Sequence, residues 1–231
     1  MSQHGDIREY IQSLVNSPRM AAEVVHHQTL RRRPARSCPA SFAGGEMLEA
    51  ILSGLGVEAL YTHQAEGVDH VRAGRHVVVA TPTASGKTFI YNLPVLEKLR
   101  KNPAARALYL FPLKALAQDQ RKAFERMAAT AGMENTAAAI YDGDTADAER
   151  KKIRRSPPAV LMTNPDMVHL SLLPYHEAWQ TFFENLEVVV IDVTPIGVTV
   201  KAGLPAWRVE DREELTKEGR AGEATHFGQQ S

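Results

Sequence analysis

The sequence predicts an α/β domain in which a mostly parallel sheet is covered by helices on both faces. Three observations carry this. Strand-like and helix-like segments alternate from residue 46 to residue 192. The segments Val77-Val78-Val79 and Val188-Val189-Val190-Ile191 are unbroken apolar runs, as expected of strands buried on both faces. Between the first of these and a helical segment lies a loop of small residues, Thr81-Pro82-Thr83-Ala84-Ser85-Gly86-Lys87-Thr88. A chain of 231 residues has room for one such domain with flanking segments, and its 44% apolar content suffices for a core.

The elements follow in order. Residues 1–45 read as a partly flexible leader with a short helix over 7–15. Its arginine stretch, Arg31-Arg32-Arg33-Pro34-Ala35-Arg36, reads as a solvated linker rather than a phosphate contact. Pro34, Pro39, Gly44 and Gly45 break regular structure there. From Glu46 the pattern changes: Met47, Leu48, Ile51 and Leu52 stand at helical spacing, and Gln64, Val68 and Val71 mark a second helix. Strands are expected over 76–80, 107–111, 137–141, 160–163 and 187–192, and helices over 89–99, 115–127, 146–154 and 167–173. These make up a domain over 46–192. The tail, 193–231, is charged and glycine-punctuated and reads as largely disordered. Within it Ile196, Val198 and Val200 alternate with Gly197, Thr199 and Lys201, which allows one short strand.

Composition removes several classes of function. Lys+Arg and Asp+Glu both number 27, so bulk charge argues neither for nor against a nucleic-acid partner. The single cysteine, Cys38, excludes an internal disulfide and a multi-cysteine metal site, and it reads as an inert thiol. His26, His27, His63 and His169 have no metal-ligand spacing. No stretch approaches the ~20 apolar residues of a membrane span, and the polar N-terminus lacks a signal core. A cytoplasmic setting without a membrane partner is expected.

The loop from Thr81 to Thr88 carries the strongest chemistry. Small residues let backbone N–H groups curl around phosphates, and the following helix aims its N-terminal donors at the same anion. In this strand–loop–helix context the segment is a P-loop. Lys87 is expected to neutralise the β- and γ-phosphates of ATP, and Thr88 to offer its hydroxyl to Mg²⁺. Such a site needs a carboxylate at the end of a neighbouring buried strand. Asp192, after the run ending at Ile191, is the candidate.

These residues and their order resemble the DEAD/DEAH-box superfamily 2 helicases over roughly residues 61–192, the first of that family's two RecA-like domains. Tyr61-Thr62-His63-Gln64 is similar to the glutamine motif, which implies an adenine contact for Tyr61 and Gln64. Ala80 to Thr88 is similar to motif I, with Thr81 where the general pattern has its first glycine. Phe111-Pro112-Leu113-Lys114-Ala115-Leu116 resembles motif Ia, Asp142-Gly143-Asp144-Thr145 the short glycine motif, and Thr163-Asn164-Pro165-Asp166 motif Ib. The resemblance implies that Pro112, Lys114, Gly143, Thr163, Asn164 and Pro165 meet a single-stranded or partly duplex nucleic acid, DNA favoured. Asp142 and Asp144, two acids in a glycine-containing turn, read as turn formers rather than metal ligands. Val190-Ile191-Asp192 resembles the first half of motif II.

The resemblance then breaks. Where the family continues with a glutamate that activates the attacking water, this chain has Val193-Thr194-Pro195. Loss of a positioned base costs about 10²–10⁴-fold in rate. Nothing over 193–231 resembles the family's continuation, neither a Ser-Ala-Thr motif nor a second RecA-like domain with its arginine finger, worth roughly 10³–10⁵-fold. The expectation is a truncated or frame-disrupted helicase gene, or a divergent domain end, with hydrolysis near background unless another chain supplies the second domain. A non-catalytic regulator that binds ATP or nucleic acid is the alternative, and a small P-loop kinase a lesser one.

Overall fold

A computed structural model of the protein describes residues 6–26, 28, 36–39, 45–81, 85–193, 197–202 and 225–227. The chain divides into two compact units, Met1–Ala35 and Arg36–Ser231. The first unit holds helix α1 (Ile7–Val15), capped by Asp6, whose side chain accepts from Arg8 N, and a 3-10 turn at Ala21–Glu23. Arg31, Arg32, Arg33, Pro34 and Gly44 lie outside the described residues.

The second unit opens with a two-stranded antiparallel sheet. Strand β1 (Ser37–Pro39) pairs antiparallel with β2 (Ala59–Tyr61), Ser37 opposite Tyr61. Helix α2 (Glu46–Gly54) lies between them and buries Met47, Leu48, Ile51 and Leu52. Strands and helices then alternate: α3 (Thr62–Arg72), β3 (Val77–Val79), α4 (Thr88–Lys101), β4 (Arg106–Leu110) and α5 (Lys114–Thr130). Next come β5 (Ala138–Ile140), α6 (Asp147–Arg155), β6 (Val160–Thr163) and α7 (Pro165–Met167). The segment expected as one helix over 167–173 is a π-helical turn, Val168–Leu172, directly after α7, and a 3-10 turn at His176–Trp179 leads into α8 (Gln180–Glu184). Strand β7 (Leu186–Val193) follows, then β8 (Gly197–Ala202) and β9 (Thr225–Phe227).

Seven of these strands form one sheet in the order β5-β6-β4-β7-β8-β3-β9. All run parallel except β8, which lies antiparallel between β7 and β3. The tail thus contributes two strands to the sheet. Strand β8 falls at the alternating segment, where Val200 is buried, and β9 lies in a stretch where no strand was expected.

Each face of the sheet carries its own core. On β4, Ala107 and Tyr109 join a cluster with Ile51, Val68, Ile90 and Phe124 from helices α2–α5. Leu108 points into the second cluster, with Tyr141, Ile153, Leu172, Trp179 and Phe182. Burial of successive residues on opposite faces is why the strands read as continuous apolar runs. Since β3 to β7 share one direction, their carboxyl ends meet at one edge, where ligands of such sheets bind. Among the described residues no helix is long and apolar enough to cross a membrane.

Candidate functional site

The P-loop leaves the carboxyl end of β3, as its sequence requires. Pro82, Thr83 and Ala84 lie outside the described residues; Thr81 and Ser85 to Thr88 are described. Gly86 has φ 71°, a left-handed conformation that favours glycine. A Cβ there would stand 2.3 Å from Gln64 Nε2, so any larger residue must displace the Gln64 amide. Lys87 donates from Nζ to Thr81 O at 2.8 Å, with Ser85 Oγ at 3.5 Å. Thr81 Oγ1 and Ser85 Oγ are 2.6 Å apart. The ammonium is therefore held over oxygen atoms of the loop itself. Thr88 opens α4, and its hydroxyl donates to Gln120 Oε1 at 3.3 Å.

Asp192 stands near the end of β7, only 5% exposed, and its Oδ1 has no hydrogen-bond partner. Burial pushes the carboxyl above its ordinary range, and the nearby charge of Lys87 opposes that shift. A buried, unpartnered carboxylate oxygen is costly unless a cation meets it. The donor set of Asp192 and the Thr88 hydroxyl is all oxygen, which suits Mg²⁺. The residues present fit a Mg-nucleotide. Among the described residues no cluster of three or more histidine, cysteine or acidic side chains forms another metal site.

The glutamine motif is clamped onto the P-loop. Gln64 is 3% exposed. Its Oε1 accepts from Tyr61 N at 2.9 Å, and its Nε2 donates to Ser85 O and Gly86 O, each at 3.0 Å. His63 Nε2 lies 3.2 Å from Ser85 O, and its ring stacks on the exposed Tyr61 ring, 5.8 Å between centroids. Both donors of the amide are engaged by the loop, so reading an adenine edge requires Gln64 to exchange partners.

The residues of the three remaining motifs meet beyond β4, β5 and β6. A small pocket there is lined by Leu113, Lys114, Asp142, Thr163 and Asn164. Lys114, exposed at the start of α5, donates to Asp144 Oδ2 at 2.5 Å. That carboxylate is the first cause of the raised Lys114 pKa. Asp142 Oδ1 accepts from Asp144 N and Thr145 N, the turn-forming role expected of it. Asp144, expected likewise as a turn former, is the ion-pair partner of Lys114. Gly143 is exposed, and its carbonyl accepts from Arg150 Nη2 at 2.9 Å. Pro112 and Pro165 are exposed.

Thr163 lines the floor of this pocket and is itself buried. It is 2% exposed, and its hydroxyl donates to Tyr141 O at 2.5 Å, tying the ends of β5 and β6. It supports the surface rather than presenting a side chain to it. Asn164 caps α7, accepting from Met167 N at 2.8 Å. The structure therefore brings Lys87, Thr88, Gln64 and Asp192 together at one end of the edge, and Lys114, Gly143 and Asn164 at the other. His63, Gln120 and Arg150 are partners the sequence did not reveal. The signal for Arg150 was available, since a guanidinium eight residues past Asp142 on a short helix can reach back to its turn.

Comparison with known proteins shows the family to which the fold belongs. Residues 61–192 match the DEAD/DEAH box helicase family. The uncharacterized ATP-dependent helicase YprA of Bacillus subtilis (strain 168) is 40% identical over 185 residues, 80% of this chain and 24% of the relative. The ATP-dependent helicase HRQ1 of Saccharomyces cerevisiae is 36% identical over 187 residues, 80% of this chain and 17% of the relative. The crystal structure of the DUF1998 helicase MrfA bound to DNA and AMPPNP superposes with a TM-score of 0.66 at 40% identity, covering 74% of this chain and 25% of that one. The helicase Lhr of Mycobacterium smegmatis, bound to ssDNA and AMP-PNP, shares the fold at 23% identity and a TM-score of 0.58, over 67% of this chain and 20% of that one. The chain spans about a quarter or less of the curated relatives named, 24% and 17%. With more than half of its length inside the matched region and a RecA-like sheet beneath the motifs, this chain belongs to the DEAD/DEAH box helicase family.

Proposed function

We propose that this chain is the first motor domain of a DEAD/DEAH box helicase, binding Mg-ATP and nucleic acid, DNA favoured, while hydrolysing ATP poorly. The buried Asp192 carboxylate, with one oxygen unpartnered and Lys87 as its charged neighbour, is the observation that carries the nucleotide reading. Asp192 and the Thr88 hydroxyl hold Mg²⁺, which when bound neutralises charge on the phosphates. Lys87 leaves the loop oxygens for the β- and γ-phosphates. Gln64 and Tyr61 meet the adenine, and the P-loop residues 81–88 wrap the phosphates. Poor hydrolysis follows from Val193, whose side chain has no atom that accepts a proton from water. That feature also favours a regulator that binds without turning over. The relative MrfA was crystallised with DNA, which supports a DNA partner here. Lys114, Gly143, Asn164, Pro112 and Pro165 form its contact surface, with Thr163 beneath, and a second RecA-like domain would complete the groove.

Thermal melts and a steady-state ATPase assay test this. Mg-ATP at about 100 times its dissociation constant stabilises the fold by ~2.7 kcal/mol, and Lys87→Ala abolishes the shift. A melt that ignores Mg-ATP, or responds equally in Lys87→Ala, refutes ATP binding. Turnover of about 1 s⁻¹ or faster, lost in Lys87→Ala, refutes poor hydrolysis.

A further inference from the structure

Gln120 lies outside every motif, yet it touches the nucleotide machinery. Its Oε1 accepts from Thr88 Oγ1 at 3.3 Å and from Tyr91 Oη at 2.8 Å. Thr88 and Tyr91 are three residues apart on α4 and so share a face. Gln120 stands on α5, whose first residue is Lys114. The bonds thus join the helix behind the P-loop to the helix that begins at the other end of the edge, with Lys114 and Gln120 roughly 9 Å apart along its axis.

The chemistry of the three groups sets their roles. An amide oxygen only accepts, and two hydroxyls use both of its lone pairs, so both must donate. A Thr88 hydroxyl that donates to Gln120 turns its own lone pairs elsewhere, and a lone pair is what a divalent cation requires. Without that acceptor the hydroxyl rotates, and its proton competes for the position facing the cation. Tyr91, 1% exposed, holds the amide in turn.

We infer that Gln120 is a positioning residue for Mg²⁺, orienting the Thr88 hydroxyl so that its lone pair faces the metal. This rests on the nucleotide reading above. It makes the ratio of ATP affinities with and without Mg²⁺ depend on an acceptor at position 120.

Calorimetric titration of the full chain with ATP, in Mg²⁺ and in EDTA, reads that ratio. In Gln120→Leu the ratio falls about ten-fold, the lower end of the cost of losing an outer-shell partner. Gln120→Glu retains an acceptor and retains the ratio. A packing role predicts the reverse, with leucine tolerated and a new charge not. Gln120→Leu leaves the Tyr91 hydroxyl unpaired, so Tyr91→Phe/Gln120→Leu carries the same test in a fold without that defect. A ratio unchanged in either leucine variant overturns the inference, as does an equal loss of affinity with and without Mg²⁺. Wild-type protein that binds ATP no better with Mg²⁺ overturns the metal site and this inference together.

Discussion

Asp192, near the end of β7, and Lys114, just past the neighbouring β4, sit in opposite electrostatic circumstances. Asp192 is 5% exposed, with an oxygen that has no hydrogen-bond partner among the described residues. The Lys114 side chain is 52% exposed and already paired with Asp144, itself 76% exposed. At the first position a cation meets a buried charge that Lys87 offsets only in part. At the second, a phosphate replaces a carboxylate in water, an exchange of like for like. The nucleotide end should therefore couple strongly to stability and pH, and the nucleic-acid end to salt.

Asp192→Asn is the sharpest way to break that contrast. The carboxyl of Asp192 is raised by burial, more than Lys87 offsets. Between the ordinary carboxylate value and the raised one, the folded protein holds more protons than the unfolded chain. Stability of the nucleotide-free protein accordingly rises as pH falls through that window, and the gain is complete below the ordinary value. Mg²⁺ competes with the proton, so the added stability from Mg-ATP fades over the same window. Asn at 192 removes the buried charge. The variant melts higher than wild type near pH 7 without nucleotide, and it loses the Mg²⁺-dependent part of a ~2.7 kcal/mol ATP effect. Melts from pH 8 to pH 4, with and without Mg-ATP, check both. A nucleotide-free variant that melts lower would mean that the Asp192 carboxylate is satisfied by an interaction the fold provides.

A smaller effect separates clamp from base reader. Gly86→Ala places a Cβ in the left-handed region, at a cost of about 1–2 kcal/mol, and drives against Gln64 Nε2. Gln64 must then swing out and release Ser85 O and Gly86 O. Gln64→Ala in the Gly86→Ala background should cost less than in wild type, because the same bonds are already gone. Additive losses would show that the two do not communicate. Gln64→Ala by itself weakens ATP more than GTP if the amide reads adenine, and both equally if it only braces the loop.

The same contrast explains what the sequence disclosed. Strands β3, β4, β6 and β7 were legible because they read as apolar runs, with no residue of β3, β4 or β6 fully exposed. The P-loop was legible because its chemistry is contiguous in the chain. Strand β1, three residues ending in Pro39, has no pattern of its own; it exists by pairing with β2 across 19 intervening residues (Pro39↔Ala59). Strand β8 was visible as alternation, but its antiparallel place between β7 and β3 is a long-range fact. Thr163 was expected at a surface because its motif resembles a surface motif, whereas its hydroxyl had a carbonyl to satisfy at the end of β5. Gln120 was invisible because 32 residues separate it from Thr88.

The smallest expected effect lies at Lys114. Its ion pair is exposed, and exposed pairs of this kind add little to stability, so Lys114→Ala should leave the melting temperature unmoved. Binding to single-stranded DNA is another matter. Sequence-independent binding of this type falls in the range ~10⁻⁴–10⁻⁶ M at physiological salt and weakens as salt rises, through counterion release. Removing one phosphate contact should lower the slope of log affinity against log salt by about 1, uniformly across sequences. Asp144→Asn runs the opposite way. It frees the Lys114 ammonium and removes a carboxylate that repels the phosphates, so affinity at low salt rises above wild type. Because Asp142, not Asp144, supplies the side-chain acceptor of the turn, the Gly143 amide stays in place in that variant. Fluorescence anisotropy with a labelled single strand at several salt concentrations measures all three proteins. If Asp144→Asn binds no better than wild type while Lys114→Ala binds as well, the strand does not pass over Lys114, and the contact surface lies elsewhere on the edge.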